Sequence, residues 1–293
     1  MTTQAFTPPP DVLIPQWSVS SRVRAAFSLR AGGVSEGAYD SLNLGVHVGD
    51  DPARVKENRQ RLSTALDLVT EPLWLHQVHG TTVWHARRSP GVAGLGFGTV
   101  GETPMPEADA VITADEGVVL AIQVADCLPV LLATDDGQMI GAAHAGWRGL
   151  VGGVIEATVG AMRASDAAMR ASDARLMPES IQAWLGPCIG PQQFEVGDEV
   201  REAFLAAGDP AKAFVANPQG RWQADLVFLA RRRLQALGIT RISGGHWCTA
   251  SDPHRFFSHR RESRDGRPSG RMAALLWLAP TSSQKTAHVG VEC

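Results

Sequence analysis

The chain has 293 residues, 44% of them hydrophobic, enough for a sizeable core in one large α/β domain or two smaller ones. A formal charge of -3 offers no nucleic-acid footprint, and no apolar run approaches the ~20 residues of a membrane helix. Four scattered cysteines without a CxxC pair, and an N-terminus lacking a charged region followed by an apolar one, lead us to expect a cytoplasmic protein rather than a secreted disulfide framework.

In chain order, residues 1–16, with Pro8-Pro9-Pro10, read as a loose arm. A strand is expected over 23–29, followed by a turn at Gly32-Gly33. Asp51-Pro52 opens a helix to about residue 68, with Pro at the first helical position and Val55, Leu62 and Leu66 on one face. A short strand over 73–78 ends at His79-Gly80, and 81–86 continues extended. Residues 89–107, rich in Gly and Pro, read as a long surface loop of the lid or binding kind.

Apolar runs at 118–124, 128–134 and 139–143 read as three strands, with a hairpin turn at Asp135-Asp136-Gly137. A helix begins near Gly149 and ends in AMRASDA written twice, at 161–167 and 168–174; this reads as a tolerated extension. A strand at 181–185, helices over 198–207 and 226–237, and a closing strand at 272–278 complete the pattern. Hairpin-linked strands alternating loosely with helices favour an α/β fold with a mixed sheet over a purely parallel one. The basic runs Arg231-Arg232-Arg233 and 259–271 read mainly as solvated faces.

Folding 128–143 about the Asp-Gly turn brings His144 opposite residue 127 or within two positions of it. A thiol and an imidazole delivered to one point form either a metal site or a Cys–His nucleophile pair. His79 can join them, chosen over His76 because it stands at the end of its strand, and the two point to opposite faces. His79, Cys127 and His144 would leave the fourth tetrahedral position open, as catalytic zinc sites do; a buried cysteine packed as a small hydrophobe beside core histidines is the equal alternative. Arg148, in a Gly-rich loop entering a helix, either holds an anion or pairs with Asp126. Of Arg260 and Arg261, at most one should reach a site. No phosphate-binding P-loop, dinucleotide fingerprint or G-x-S-x-G elbow is present.

Asn43-Leu44-Gly45, His47-Val48-Gly49-Asp50-Asp51, Gln77-Val78-His79-Gly80, Ala125-Asp126-Cys127-Leu128-Pro129-Val130 and 143–149 (AHAGWRG) together resemble the YfiH family. Members are also called laccase-domain proteins or polyphenol-oxidase-like purine nucleoside phosphorylases. Residues 185–190 (LGPCIG) and 256–261 (FFSHRR) extend the likeness over about 20–280. The resemblance implies a single α/β domain over 17–280, built as an α/β/β/α sandwich of layered mixed sheets with flanking helices, and a tail at 281–293. It implies one zinc ion on His79, Cys127 and His144, and Asn43, Arg59 and Arg260 near a substrate pocket. It also implies phosphorolysis of adenosine, inosine, guanosine and methylthioadenosine with inorganic phosphate, and deamination of adenosine, by a monomer or homodimer with no nucleic-acid or membrane partner. The chain departs from the family in its AMRASDA duplication and in His259, where relatives usually carry Tyr.

Other readings compete. A copper polyphenol oxidase needs about a dozen ligands with paired His-x-His motifs, whereas this chain has nine histidines and no such pair. Copper could still load the site as a competing metal. Editing of a peptidoglycan precursor by hydrolysis could use the same metal. A non-enzymatic zinc-stabilised interaction module would need a fourth protein ligand, such as His76 or Cys248.

Overall fold

In the computed structural model, which describes residues 10–88, 105–169 and 181–280, the chain steps from one sheet to another at Cys127. Its elements are β1 (Val12–Leu13), β2 (Val23–Ser28), α1 (Pro52–Ala65), β3 (Val83–His85), β4 (Ala110–Thr113), β5 (Val119–Val124), β6 (Leu128–Thr134), β7 (Ile140–Ala145), α2 (Trp147–Gly152), α3 (Val154–Met169), β8 (Ile181–Leu185), β9 (Glu195–Val196), α4 (Asp198–Ala206), β10 (Phe214–Ala216), β11 (Trp222–Ala224), α5 (Leu226–Ala236), β12 (Ile242–Gly244), α6 (His259–Ser263) and β13 (Met272–Leu278). A four-stranded sheet runs β1-β2-β13-β5, a six-stranded sheet β12-β8-β6-β7-β4-β3, and a small sheet β10-β11-β9. Pairs β12/β8 and β3/β4 are parallel and the other pairs antiparallel, so the larger sheet is mixed.

Alternation along the strands builds the layers. Leu120, Ile122 and Val124 of β5 pack with Leu131 and Ala133 of β6, joining the two sheets face to face. Leu128, Val130 and Leu132 point the other way, onto Val154, Ile155 and Val159 of α3 and Leu229 of α5. Val119 and Ala121 face Leu42, Leu44 and Leu62 of the α1 side. The order helix, sheet, sheet, helix is the expected sandwich, and each fully buried Leu contributes about 1.5–3 kcal/mol. Asp51 caps α1 by accepting from the Ala53 N–H, with Pro52 opening the helix. The β6–β7 turn closes through Gly137 at φ 66°.

Several expectations are corrected. Val12–Leu13, assigned to the loose arm, pair with β2. Residues 73–78 form only isolated bridges, Leu73 to Leu120 and His76 to Glu107. Farther along, at 78–80, a side chain rather than a neighbouring strand takes the backbone donors, as described below. The helix expected near Gly149 starts at Trp147 and breaks at Gly153, which adopts φ 95° between α2 and α3. Most of the long loop at 89–107 and of the second AMRASDA copy, and all of the tail at 281–293, lie outside the described residues. Among the described residues no helix is long and apolar enough to cross a membrane.

Candidate metal centre

Cys127 occupies the crossing from β5 to β6, and His144 comes from β7, where it pairs with Pro129. That is two positions from Cys127, the edge of the expected register. His79 stands on the loop before β3. The ligand atoms of the three residues all lie within 4.8 Å of one another, with His79 Nε2 to Cys127 Sγ at 3.8 Å. A tetrahedral ion bound to such donors would separate them by roughly 3.5 Å, so the group fits a metal with little adjustment. His76 is not part of it; its imidazole points toward Glu107, 3.8 Å away. Cys248 is occupied elsewhere, accepting from the Gly190 N–H and the Ser251 hydroxyl. The group therefore has three protein donors among the described residues.

Asp109, which sequence reasoning missed, organises two of the three donors. Its carboxylate has no solvent exposure. It accepts from the N–H groups of Val78 (3.1 Å), His79 (2.9 Å) and Gly80 (2.6 Å). It also bonds His144 Nδ1 at 2.8 Å, which leaves Nε2 for the cluster. The three backbone bonds hold His79 at φ 63°, a left-handed conformation uncommon outside glycine. Burial disfavours the Asp109 carboxylate, but His144 and the Gly80 and His79 amides more than offset it and lower its pKa. The available signal was an acidic residue directly before the fully buried strand Ala110–Thr113.

Burial also opposes the Cys127 thiolate, yet His144 and then His79 bring its pKa down to about 6. For His144, burial opposes the cation while Cys127 and Asp109 raise its pKa to about 9. The two therefore favour thiolate and imidazolium, which on its own would also suit a nucleophile pair. His79 separates the readings, because a nucleophile and its base need no third donor aimed at the sulfur.

Two glycines leave room for this arrangement. A Cβ on Gly146 would lie 2.9 Å from His79 Cδ2 and 3.0 Å from Cys127 Sγ, and one on Gly149 would meet the Gly80 carbonyl at 3.0 Å. Gly146→Ala is therefore expected to displace His79 or Cys127 and weaken metal binding by about tenfold or more, with thermal stability nearly kept. Competition with a colorimetric chelator measures it, and unchanged affinity would show the cluster to be slack.

The cluster opens into a cavity of about 390 Å³, within the usual range for small-molecule sites. Val124, Ala125, Ile189, Phe194 and Leu226 give it an apolar wall, and Arg148, Arg260 and Arg271 add guanidinium groups. Arg148 is exposed and lies over the Trp147 ring at 4.4 Å. It does not pair with Asp126, the alternative weighed above. Asp126 instead accepts from the Thr249 and Ser258 hydroxyls (2.6 and 3.0 Å) and the Arg260 N–H (2.6 Å), tying the 249–260 segment to Cys127. Arg260 lines the cavity, with Nη1 held by the Glu195 carbonyl at 2.8 Å. Arg261 turns away to the Thr249 and Phe256 carbonyls. Arg59 is not among the cavity-lining residues: Nε and Nη2 both donate to the Leu44 carbonyl, and the group lies over Trp74 at 3.9 Å. Asn43 is likewise behind the wall, fully buried and bonded to Gly45, Asp50 and the Arg271 N–H.

Comparison with known proteins adds to this geometry. Residues 24–279 match the family described as multi-copper polyphenol oxidoreductase laccase. A Pseudomonas aeruginosa protein named purine nucleoside phosphorylase is 47% identical over 269 residues, covering 91% of this chain and 98% of its own length. YfiH of Escherichia coli, given the same name, is 43% identical over 267 residues, with 91% and 98% covered. Among solved structures, a Neisseria meningitidis protein superposes with a TM-score of 0.77 at 39% identity, covering 92% of this chain and 99% of that one.

Proposed function

Because the chain belongs to the multi-copper polyphenol oxidoreductase laccase family, and its relatives carry the name purine nucleoside phosphorylase, we propose that it is a zinc-dependent purine nucleoside phosphorylase. The observation that carries this reading is the open three-donor cluster beside a cavity that joins an apolar wall to guanidinium groups. His79, Cys127 and His144 hold the metal, which when bound supplies Lewis-acid polarisation of a substrate oxygen. The purine lies against Ile189, Phe194 and Leu226. Arg260 and Arg148 add positive potential along the cavity wall, while Asn43 and Arg59 support that wall from behind. A phosphate oxygen attacks ribose C1′, the C1′–N9 bond breaks, and its electron pair leaves with the base, giving ribose 1-phosphate and free purine. Adenosine, inosine, guanosine and methylthioadenosine are the expected nucleosides. Attack of water on C6 of adenosine in the same cavity, with loss of ammonia, gives a deaminase side activity.

A copper oxidase finds little support in the residues. Thiolate and imidazole bind Cu(II) tightly, so copper-exposed preparations would acquire it without being copper enzymes. The test is to incubate zinc-loaded protein with adenosine, with and without phosphate, and identify the products. Ribose 1-phosphate formed only with phosphate is the expected result, and inosine in both samples would add the deaminase. Stoichiometric copper in protein made without added copper, together with robust phenol oxidation, would overturn the proposal.

A further inference from the structure

The phrase Asn43-Leu44-Gly45 lies at the cavity's back without reaching into it, and what it grips is Arg271. The Arg271 N–H donates to Asn43 Oδ1 at 2.9 Å, and its carbonyl accepts from the Leu44 N–H at 3.0 Å. Its aliphatic stem lies so close to Gly45 that a Cβ there would sit 2.7 Å from Arg271 Cγ. Nη1 is fixed by the Ser269 and Gly270 carbonyls at 2.9 and 3.2 Å. Nε and Nη2 have no protein acceptor, and no carboxylate pairs with the guanidinium, among the described residues. Arg271 is thus a part-buried cation, held by its backbone and Nη1, with Nε and Nη2 unspent, among the residues lining the metal cavity.

Strand register places it beside the cluster. Met272 pairs with Val124, so the preceding Arg271 falls opposite Ala125, two residues before Cys127. Ala273 pairs with Gln123, which puts Gln123 and Arg271 on the same face of this sheet. Gln123 is among the residues lining the same cavity and is only 3% exposed, and its Oε1, closed to solvent, has no hydrogen-bond partner. A buried carboxamide oxygen left unpaired destabilises the fold unless a ligand meets it. A fixed guanidinium with free N–H groups beside an unpaired acceptor suits a small oxyanion that also carries a hydroxyl, such as hydrogenphosphate.

We propose that Arg271, with the carboxamide of Gln123, forms the inorganic-phosphate subsite beside the metal cluster. It is distinct from the rim residue Arg148 and the carbonyl-bound Arg260. Phosphate oxygens take Nε and Nη2 of Arg271 in a forked contact, and the phosphate hydroxyl donates to Gln123. Asn43, Leu44 and Gly45 act as positioning residues that hold the fork in place. The assignment rests on the phosphorylase reading for its role in catalysis but not for the binding itself.

The test uses zinc-loaded full-length protein, wild type against Arg271→Met, which keeps the stem without the charge. KM for phosphate and for inosine are measured separately, together with the rise in Tm produced by inorganic phosphate. Arg271→Met is expected to raise the phosphate KM about tenfold or more, leave the inosine KM within about threefold, and abolish the phosphate-induced Tm rise. Arg271→Lys should fall between the two proteins, because it keeps charge but loses the fork, and it carries the test if the Met variant fails to fold. A phosphate KM and Tm rise like those of wild type, or an increase confined to the inosine KM, would overturn the assignment. If wild type binds phosphate through Arg271 yet never forms ribose 1-phosphate, the phosphorylase reading falls and the subsite stands.

Discussion

Replacing Cys127 by alanine is expected to remove metal binding and, with it, to reduce the proposed nucleoside cleavage to below about 1% of wild type, while the protein still folds. Two of three donors remain, and imidazoles alone do not restore the thiolate's charge. The loss should therefore exceed the roughly 10–100-fold typical of changes behind the ligands. Folding should survive because Cys127 is small and only half-buried, at the crossing between sheets rather than in a layer of the core. A change in stability of about 1 kcal/mol or less follows. The variant also separates the two roles open to a thiol that His144 and His79 bring down to about 6 against the opposition of burial. A nucleophile removed from a site that has its metal elsewhere would leave zinc content unchanged and activity lost. A ligand removed costs both. Metal analysis of the purified variant beside its turnover of inosine gives the answer, and retained phosphorolysis without zinc would end the metal reading.

The parts of this site legible in the sequence were those fixed by short-range geometry. An Asp-Gly turn between two apolar runs sets the β6–β7 register, and with it the approach of His144 to Cys127, because a strand pair has few ways to close a tight turn. Arg59 shows where reading by likeness stopped: only the three-dimensional neighbourhood places its guanidinium on the Leu44 carbonyl and the Trp74 ring. Arg271 is the converse. It lies 228 residues from Asn43, and nothing local distinguishes it from the exposed arginines of the same basic run. The sheet partnership of β5 with β13, a long-range pairing, makes it a wall of the cavity. Residues 73–78 were misjudged for a related reason, since apolar content suggested a strand while the ladder partners were elsewhere.

Asp109→Asn should lower zinc affinity by about 10–100-fold although the residue never touches the cavity. The substitution is isosteric, so the argument turns on protons. Every neighbour of the carboxylate is a donor: the Val78, His79 and Gly80 amides and His144 Nδ1. An asparagine must aim its NH2 at some of them. Directed at Val78 and Gly80, it sets donor against donor and releases the loop that keeps His79 at φ 63°. Directed at His144, it favours the tautomer with Nδ1 as acceptor, which moves the ring proton to Nε2 and blocks the atom that faces the cluster. Either orientation costs, and a stability loss of about 1–3 kcal/mol accompanies it at neutral pH. The pH dependence identifies the cause. Burial works against the Asp109 carboxylate, but His144 and the amides hold its pKa below the ordinary 3.8, so its stabilisation is complete above that value and lost as pH falls through the native one. The gap in unfolding free energy between wild type and Asp109→Asn should therefore narrow as pH drops below about 4. A gap that stays constant in acid, or a variant with wild-type zinc affinity, would show that the carboxylate merely fills space.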